Sequence, residues 1–68
     1  MPYFYVNKNA QSDGYHEVHE NACTHGADAK NQDDLGWHAG CKGAVSKAGE
    51  SYDKVDGCAY CCEDCHTR

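Results

Sequence analysis

The stretch Gly57-Cys58-Ala59-Tyr60-Cys61-Cys62-Glu63-Asp64-Cys65-His66 carries four of the chain's six cysteines within eight residues. A thiol-dense segment constrains a small chain more than any apolar run, because it demands partners: a metal ion, another sulfur, or both. What the chain lacks sharpens the demand. Its 68 residues allow one domain, 1–68, and its strong aliphatics are Val6, Val18, Leu35, Val45 and Val55, with no Ile. At this length apolar burial seldom outweighs the entropy lost on folding. Without cross-links the composition predicts disorder. A metal site or disulfides, each contributing several kcal/mol, reverse that expectation.

The formal net charge of −5, with only six scattered Lys and Arg residues, argues against a phosphate-binding surface and hence against nucleic acid as a partner. No stretch is long and apolar enough to span a membrane. Met1-Pro2-Tyr3-Phe4 has neither the basic start nor the apolar core of a signal peptide. This points to a cytoplasmic product with reduced thiols; the alternative is a mature secreted peptide.

Along the chain, Tyr3-Phe4-Tyr5-Val6 predicts a strand. Residues 9–14 form a turn region in which Asp13-Gly14 suits a hairpin. Residues 15–19 form the returning strand, with Tyr15, Glu17 and His19 on one face and His16 and Val18 on the other. Residues 20–34 are polar and read as loop, with one helical turn carrying His19 toward Cys23. Leu35-Gly36-Trp37-His38 is the next candidate strand, short and interrupted by Gly36. From there the period changes: Cys41, Ala44, Val45, Ala48 and Tyr52 recur at helical spacing, predicting a helix over residues 40–51. Residues 53–57 read as a polar link into the cysteine cluster. The fold class expected is therefore a small α+β domain, metal- or disulfide-stapled, with an N-terminal hairpin or short sheet, one central helix and a C-terminal Cys-rich knuckle.

Cys58-x2-Cys61 is the spacing at which a tight turn aims two thiolates at one tetrahedral ion. The best second pair is His19-x3-Cys23. The candidate metal ligands are thus His19, Cys23, Cys58 and Cys61, one imidazole and three thiolates, a donor set suited to structural Zn2+. With all four positions filled, no coordination site stays open for water or substrate. Competing assignments replace His19 by His16 or draw in Cys65 or His66. Cys61 and Cys62 are adjacent, so only one readily faces the ion. Cys41 and Cys65 can pair in an oxidising setting, or Cys41 can serve as a small core residue; full pairing of all six cysteines is the broader alternative.

Other polar groups invite plainer readings. His25 and His38 are expected to be solvated, Trp37 and the tyrosines to supply the core, and Asp33-Asp34 and Glu63-Asp64 to be solvated faces rather than acid-base pairs. No nucleophile with a base, paired carboxylate or open metal site can be argued from spacing, so no enzyme is expected.

The order of an aromatic strand ending in Val6, His19-x3-Cys23, a helix with Ala44-Val45-x2-Ala48, and Gly57-Cys58-x2-Cys61 resembles the small metal-binding domain of bacterial Ada-type alkylation-response proteins. The chain also looks like a group of short uncharacterised bacterial Cys/His-rich proteins. The shared segments are Tyr5 to Gln11, His16-Glu17-Val18-His19, Leu35-Gly36 and Cys65-His66-Thr67. The Ada resemblance implies a zinc site on Cys23, Cys58 and Cys61, with His19 standing where that family has a methyl-accepting cysteine. Methyl transfer and DNA binding are therefore not expected to carry over. The function expected is a non-enzymatic zinc-binding module presenting a surface to a protein partner; the alternative is a secreted disulfide-stabilised inhibitor, signal or toxin.

Overall fold

The computed structural model describes residues 3–67, so Met1, Pro2 and Arg68, and with them the start of the segment read above for a leader, lie outside the described residues. Four strands, β1 (Tyr3–Asn7), β2 (His16–Glu20), β3 (Gln32–Trp37) and β4 (Val55–Gly57), and one helix, α1 (Cys41–Ala48), follow in the order β1-β2-β3-α1-β4. Short 3-10 turns at Ala29–Asn31 and Glu63–Cys65 complete the small α+β fold.

The sheet is mixed, in the order β3-β1-β2-β4. Strand β1 lies antiparallel to both β2 and β3, and β4 joins β2 in parallel, with Val18 opposite Gly57. The first hairpin follows from its turn residues: Gly14 takes a φ of +88°, its N–H reaches Gln11 O at 2.8 Å, and Asp13 Oδ1 accepts the Tyr15 N–H at 3.0 Å. Gly36 has a different task. The β1·β3 register slips between Phe4 and Tyr5, and Gly36, at φ +81°, supplies the left-handed backbone that this bulge requires.

Alternation along β1 splits its side chains between the two faces. Phe4 and Val6 face α1 and pack with Val18, Ala44, Ala48, Cys58 and Cys62 into one buried cluster. Ala44 and Ala48, one turn apart, let the helix approach this face closely. Two of the seven cluster residues are cysteines, which shows how few aliphatic side chains the interior has available.

Several sequence expectations are corrected. Strand β3 begins at Gln32, inside the segment read as loop, because Asp33 and Asp34 pair with Val6 and Tyr5 of β1. The helix proper ends at Ala48, although Tyr52 N–H still reaches Ala48 O at 3.0 Å. The polar link contains β4, whose Asp56 is buried. That carboxylate accepts the Thr67 backbone N–H at 3.0 Å and the Thr67 hydroxyl at 3.1 Å, tying the C-terminal segment to the sheet. Trp37 is 46% exposed and Tyr3 54% exposed, rather than core. They face each other across β1 and β3 on the side of the sheet that α1 does not cover.

Candidate metal centre

Strand β2 ends in a turn, Cys23 N–H to Glu20 O at 3.0 Å, that folds Cys23 back toward His19. Strand β4 then brings the second knuckle alongside. Its parallel pairing continues one residue beyond the strand, with Cys58 N–H on Val18 O at 2.9 Å, so Cys58 stands next to His19. From there the chain turns through Ala59 and Tyr60, closed by Cys62 N–H on Cys58 O at 2.9 Å, and presents Cys61.

The result is one constellation. The donor atoms of His19, Cys23, Cys58 and Cys61 all lie within 4.8 Å of one another. Cys23 Sγ is 3.9 Å from Cys58 Sγ, and Cys61 Sγ is 3.9 Å from His19 Nδ1. Four ligands at bond lengths of about 2.0–2.3 Å from a single ion stand about 3.5–3.8 Å apart along the edges of a tetrahedron. The observed separations sit just outside that shell, and the donor set fits a mononuclear soft or borderline cation.

Surrounding groups support the donors. The Glu20 N–H points at Cys61 Sγ at 3.2 Å and the Tyr60 N–H at Cys58 Sγ at 3.4 Å, donors that stabilise sulfur when it carries negative charge. Burial pushes the Cys61 and Cys62 thiols up from the usual range, with the Glu20 amide opposing the shift at Cys61. A thiol held neutral in this way keeps its proton until a cation replaces it on the sulfur and sends it to solvent, so metal uptake at these groups would be coupled to proton release.

His19 is buried, and desolvation lowers its pKa below the ordinary value, against a smaller opposing pull from Glu17. The neutral imidazole is the form that ligates. With Nδ1 toward Cys61, its Nε2 faces the Glu17 carboxylate at 3.7 Å, the side on which metal-binding histidines commonly meet an outer carboxylate. Tyr5 lies over the same imidazole, ring centroids 5.3 Å apart, and its hydroxyl accepts the Ala27 N–H at 3.0 Å. Its pKa is raised, chiefly by burial.

The competing ligands are placed elsewhere. His16 bonds to Asn7 O through Nδ1 at 2.8 Å and stacks on Tyr52. His66 Nδ1 lies 2.9 Å from Gly57 O and 3.5 Å from Asp56. Cys65 forms a disulfide with Cys41, a pairing open in the sequence and now seen across 24 residues. Cys62 is buried in the core cluster, its Sγ 3.9 Å from Cys61 Sγ. As expected, neither His25 nor His38 joins the donor set, though each has a partner. His38 Nε2 lies 2.9 Å from Leu35 O, and His25, though exposed, stacks on Tyr60 with centroids 3.8 Å apart and a tilt of 14°. Each ring in that second pair belongs to a ligand-bearing loop, so the stack bridges the two knuckles.

Sequence reasoning missed Glu17, Tyr5 and the His25–Tyr60 stack as parts of this site. Only Glu17 left a signal, its position two residues from His19 on one strand face. Among the described residues no helix is long and apolar enough to cross a membrane. No protein family, curated protein or solved structure matches the chain.

Proposed function

We propose that this protein is a non-enzymatic zinc-binding module in which His19, Cys23, Cys58 and Cys61 hold one structural Zn2+ and so fix a small surface for a protein partner. The observation that carries the reading is the convergence of these four donors within 4.8 Å from two separate chain segments. When bound, the ion supplies a cross-link and a Lewis-acidic charge. The chain's own residues do the rest: His19 offers a neutral nitrogen, the Glu20 and Tyr60 amides stabilise sulfur charge, and the four-donor set leaves no open position for chemistry. Three thiolates and Zn2+ sum to −1, which adds to an acidic surface ill suited to nucleic acid. The resemblance to Ada-type metal-binding domains supports the ligand set, with His19 at the position of the reactive cysteine, and so supports zinc binding without methyl transfer.

A second reading has one observation in its favour. The Cys41–Cys65 disulfide suits an oxidising compartment, and hence a secreted inhibitor, signal or toxin, better than a cytoplasmic protein. Metal analysis of the native protein with intact-mass measurement tests both. The zinc module predicts one equivalent of Zn2+, displaced by chelator with loss of structure, and four alkylatable thiols. Absence of zinc together with full oxidation of the thiols would overturn it in favour of the stapled peptide.

A further inference from the structure

Strand β3 departs from regular alternation at one point. Tyr5 pairs with Asp34, Phe4 with Gly36 and Tyr3 with Trp37, so β3 spends one extra residue opposite Phe4. Residues three apart on a regular strand lie on opposite faces; here the extra residue turns Asp34 and Trp37 to the same side, the one that α1 does not cover. Directly opposed side chains share a face with their Cβ atoms about 5 Å apart, so Tyr3 and Trp37, both about half exposed, are neighbours. Asp34 is exposed on the same face, and its Oδ1 accepts the Gly36 N–H at 3.1 Å, which ties the carboxylate to the bulge. One backbone irregularity thereby collects two aromatic rings and an anchored carboxylate.

Beside this group lies a cavity of about 340 Å³ lined by Tyr3, Tyr5, Asn21, Ala29, Gln32 and Asp34. Its loop wall is fixed in advance, because Gln32 Nε2 donates to Ala27 O at 2.9 Å and the Ala27 N–H donates to the Tyr5 hydroxyl at 3.0 Å. We infer that this face receives an arginine side chain of a protein partner, with the guanidinium against the Asp34 carboxylate and over the Tyr3 and Trp37 rings. The faces of Trp and Tyr attract cations through their quadrupoles. A guanidinium suits the site better than an ammonium because it is planar, weakly hydrated and forked, so one pose both stacks on a ring and grips a carboxylate. The formal net charge of −5 draws a basic partner toward the chain. A nucleic-acid base would stack on the same rings, but Asp34 and the net charge repel its phosphates.

This names the chemistry of the protein partner in the proposed function and rests on that reading only there; Tyr3, Asp34 and Trp37 are not proposed zinc ligands. Trp37 is the single tryptophan, so its emission reports on the site directly. The test titrates the full native chain, with zinc content measured on the same sample, using acetyl-Gly-Arg-Gly-amide and peptides in which lysine or the uncharged isostere citrulline replaces arginine. The expected result is a saturable change in Trp37 emission with the arginine peptide, binding of the citrulline peptide weaker by about five- to thirtyfold, and a smaller loss with lysine. Asp34→Asn, which keeps an oxygen for the Gly36 N–H, should weaken arginine binding about two- to fivefold and leave citrulline binding unchanged. Tyr3→Ala should also weaken arginine binding, a readout that survives if the first variant disturbs the bulge. No saturable response, equal binding of the arginine and citrulline peptides, or arginine binding undiminished in both variants would each overturn the inference. Equal binding of the lysine peptide would overturn the choice of guanidinium. Tighter binding of oligodeoxythymidylate would give the face to nucleic acid instead, and self-association abolished by Trp37→Ala would give it to a second copy of the chain. A null titration on protein holding one equivalent of Zn2+ would leave the metal reading standing, whereas saturable arginine binding by zinc-free native protein would sink the metal reading alone.

Discussion

Cys23 Sγ and Cys58 Sγ lie 3.9 Å apart although 35 residues separate them in the chain. The contact exists because two turns, one after β2 and one after β4, are held side by side by a parallel strand pair. If one ion serves both sulfurs, the two residues act as a unit. Cys23→Ala and Cys58→Ala should each lower zinc affinity by more than the roughly 10- to 100-fold typical of losing an outer partner. The double variant should be little worse than either single one. Competition against a chromophoric chelator measures all three; a single variant that leaves zinc affinity unchanged would mean that the sulfurs do not share an ion.

The stacked His25 and Tyr60 rings tie the same two loops together from outside. An aromatic pair of this kind contributes about 0.5–1.5 kcal/mol beyond the area it buries. A double-mutant cycle of His25→Ala and Tyr60→Ala on zinc affinity should return a coupling in that range. A coupling near zero would show that the exposed stack lends the site nothing.

Tyr52 donates its hydroxyl to Asp33 Oδ2 at 3.2 Å, and its pKa is raised above 10.0, first by desolvation and then by that carboxylate. Above pH 10 the unfolded chain gives up this proton while the folded chain retains it. The unfolded state then binds fewer protons, so stability falls as pH rises through and beyond 10. Urea midpoints measured between pH 8 and about 11 should decline, and Tyr52→Phe should decline less steeply. Parallel curves for the two proteins would remove Tyr52 as a source.

Gly57 has no room for a side chain: an added Cβ would lie 2.7 Å from Cys62 O and 2.8 Å from Cys65 Cβ. Gly57→Ala should cost about 1–3 kcal/mol, as overpacking does. The control is Gly36→Ala, where space is open and only the positive φ resists, at about 1 kcal/mol. Chemical denaturation of both variants checks the order; a harmless Gly57→Ala would mean that the C-terminal knuckle shifts freely.

Local pattern carried much of this fold. The hairpin was legible in Asp13-Gly14, the helix in the spacing of Ala44 and Ala48, and the pairing of His19-x3-Cys23 with Cys58-x2-Cys61 in ligand spacing alone. What escaped was set by distant partners. Val55-Asp56-Gly57 is too short and too poor in strand-forming residues to announce β4, which exists because β2 offers it an open edge. Trp37 reads as core by its size, yet it sits at the end of β3 on the face away from α1 and is 46% exposed. The choice between His16 and His19 depended on sheet register, which two histidines three residues apart do not reveal. Cys41–Cys65 could be weighed but not chosen among the many pairings of six cysteines.

The parallel union of β4 with β2 also sets a schedule for biosynthesis. His19 and Cys23 leave the ribosome well before Cys58 and Cys61 have been translated, and for that interval the nascent chain offers an incoming ion only one imidazole and one thiol. On the proposed zinc reading, the full four-donor set is assembled only once residues 55–61 have emerged and docked against β2.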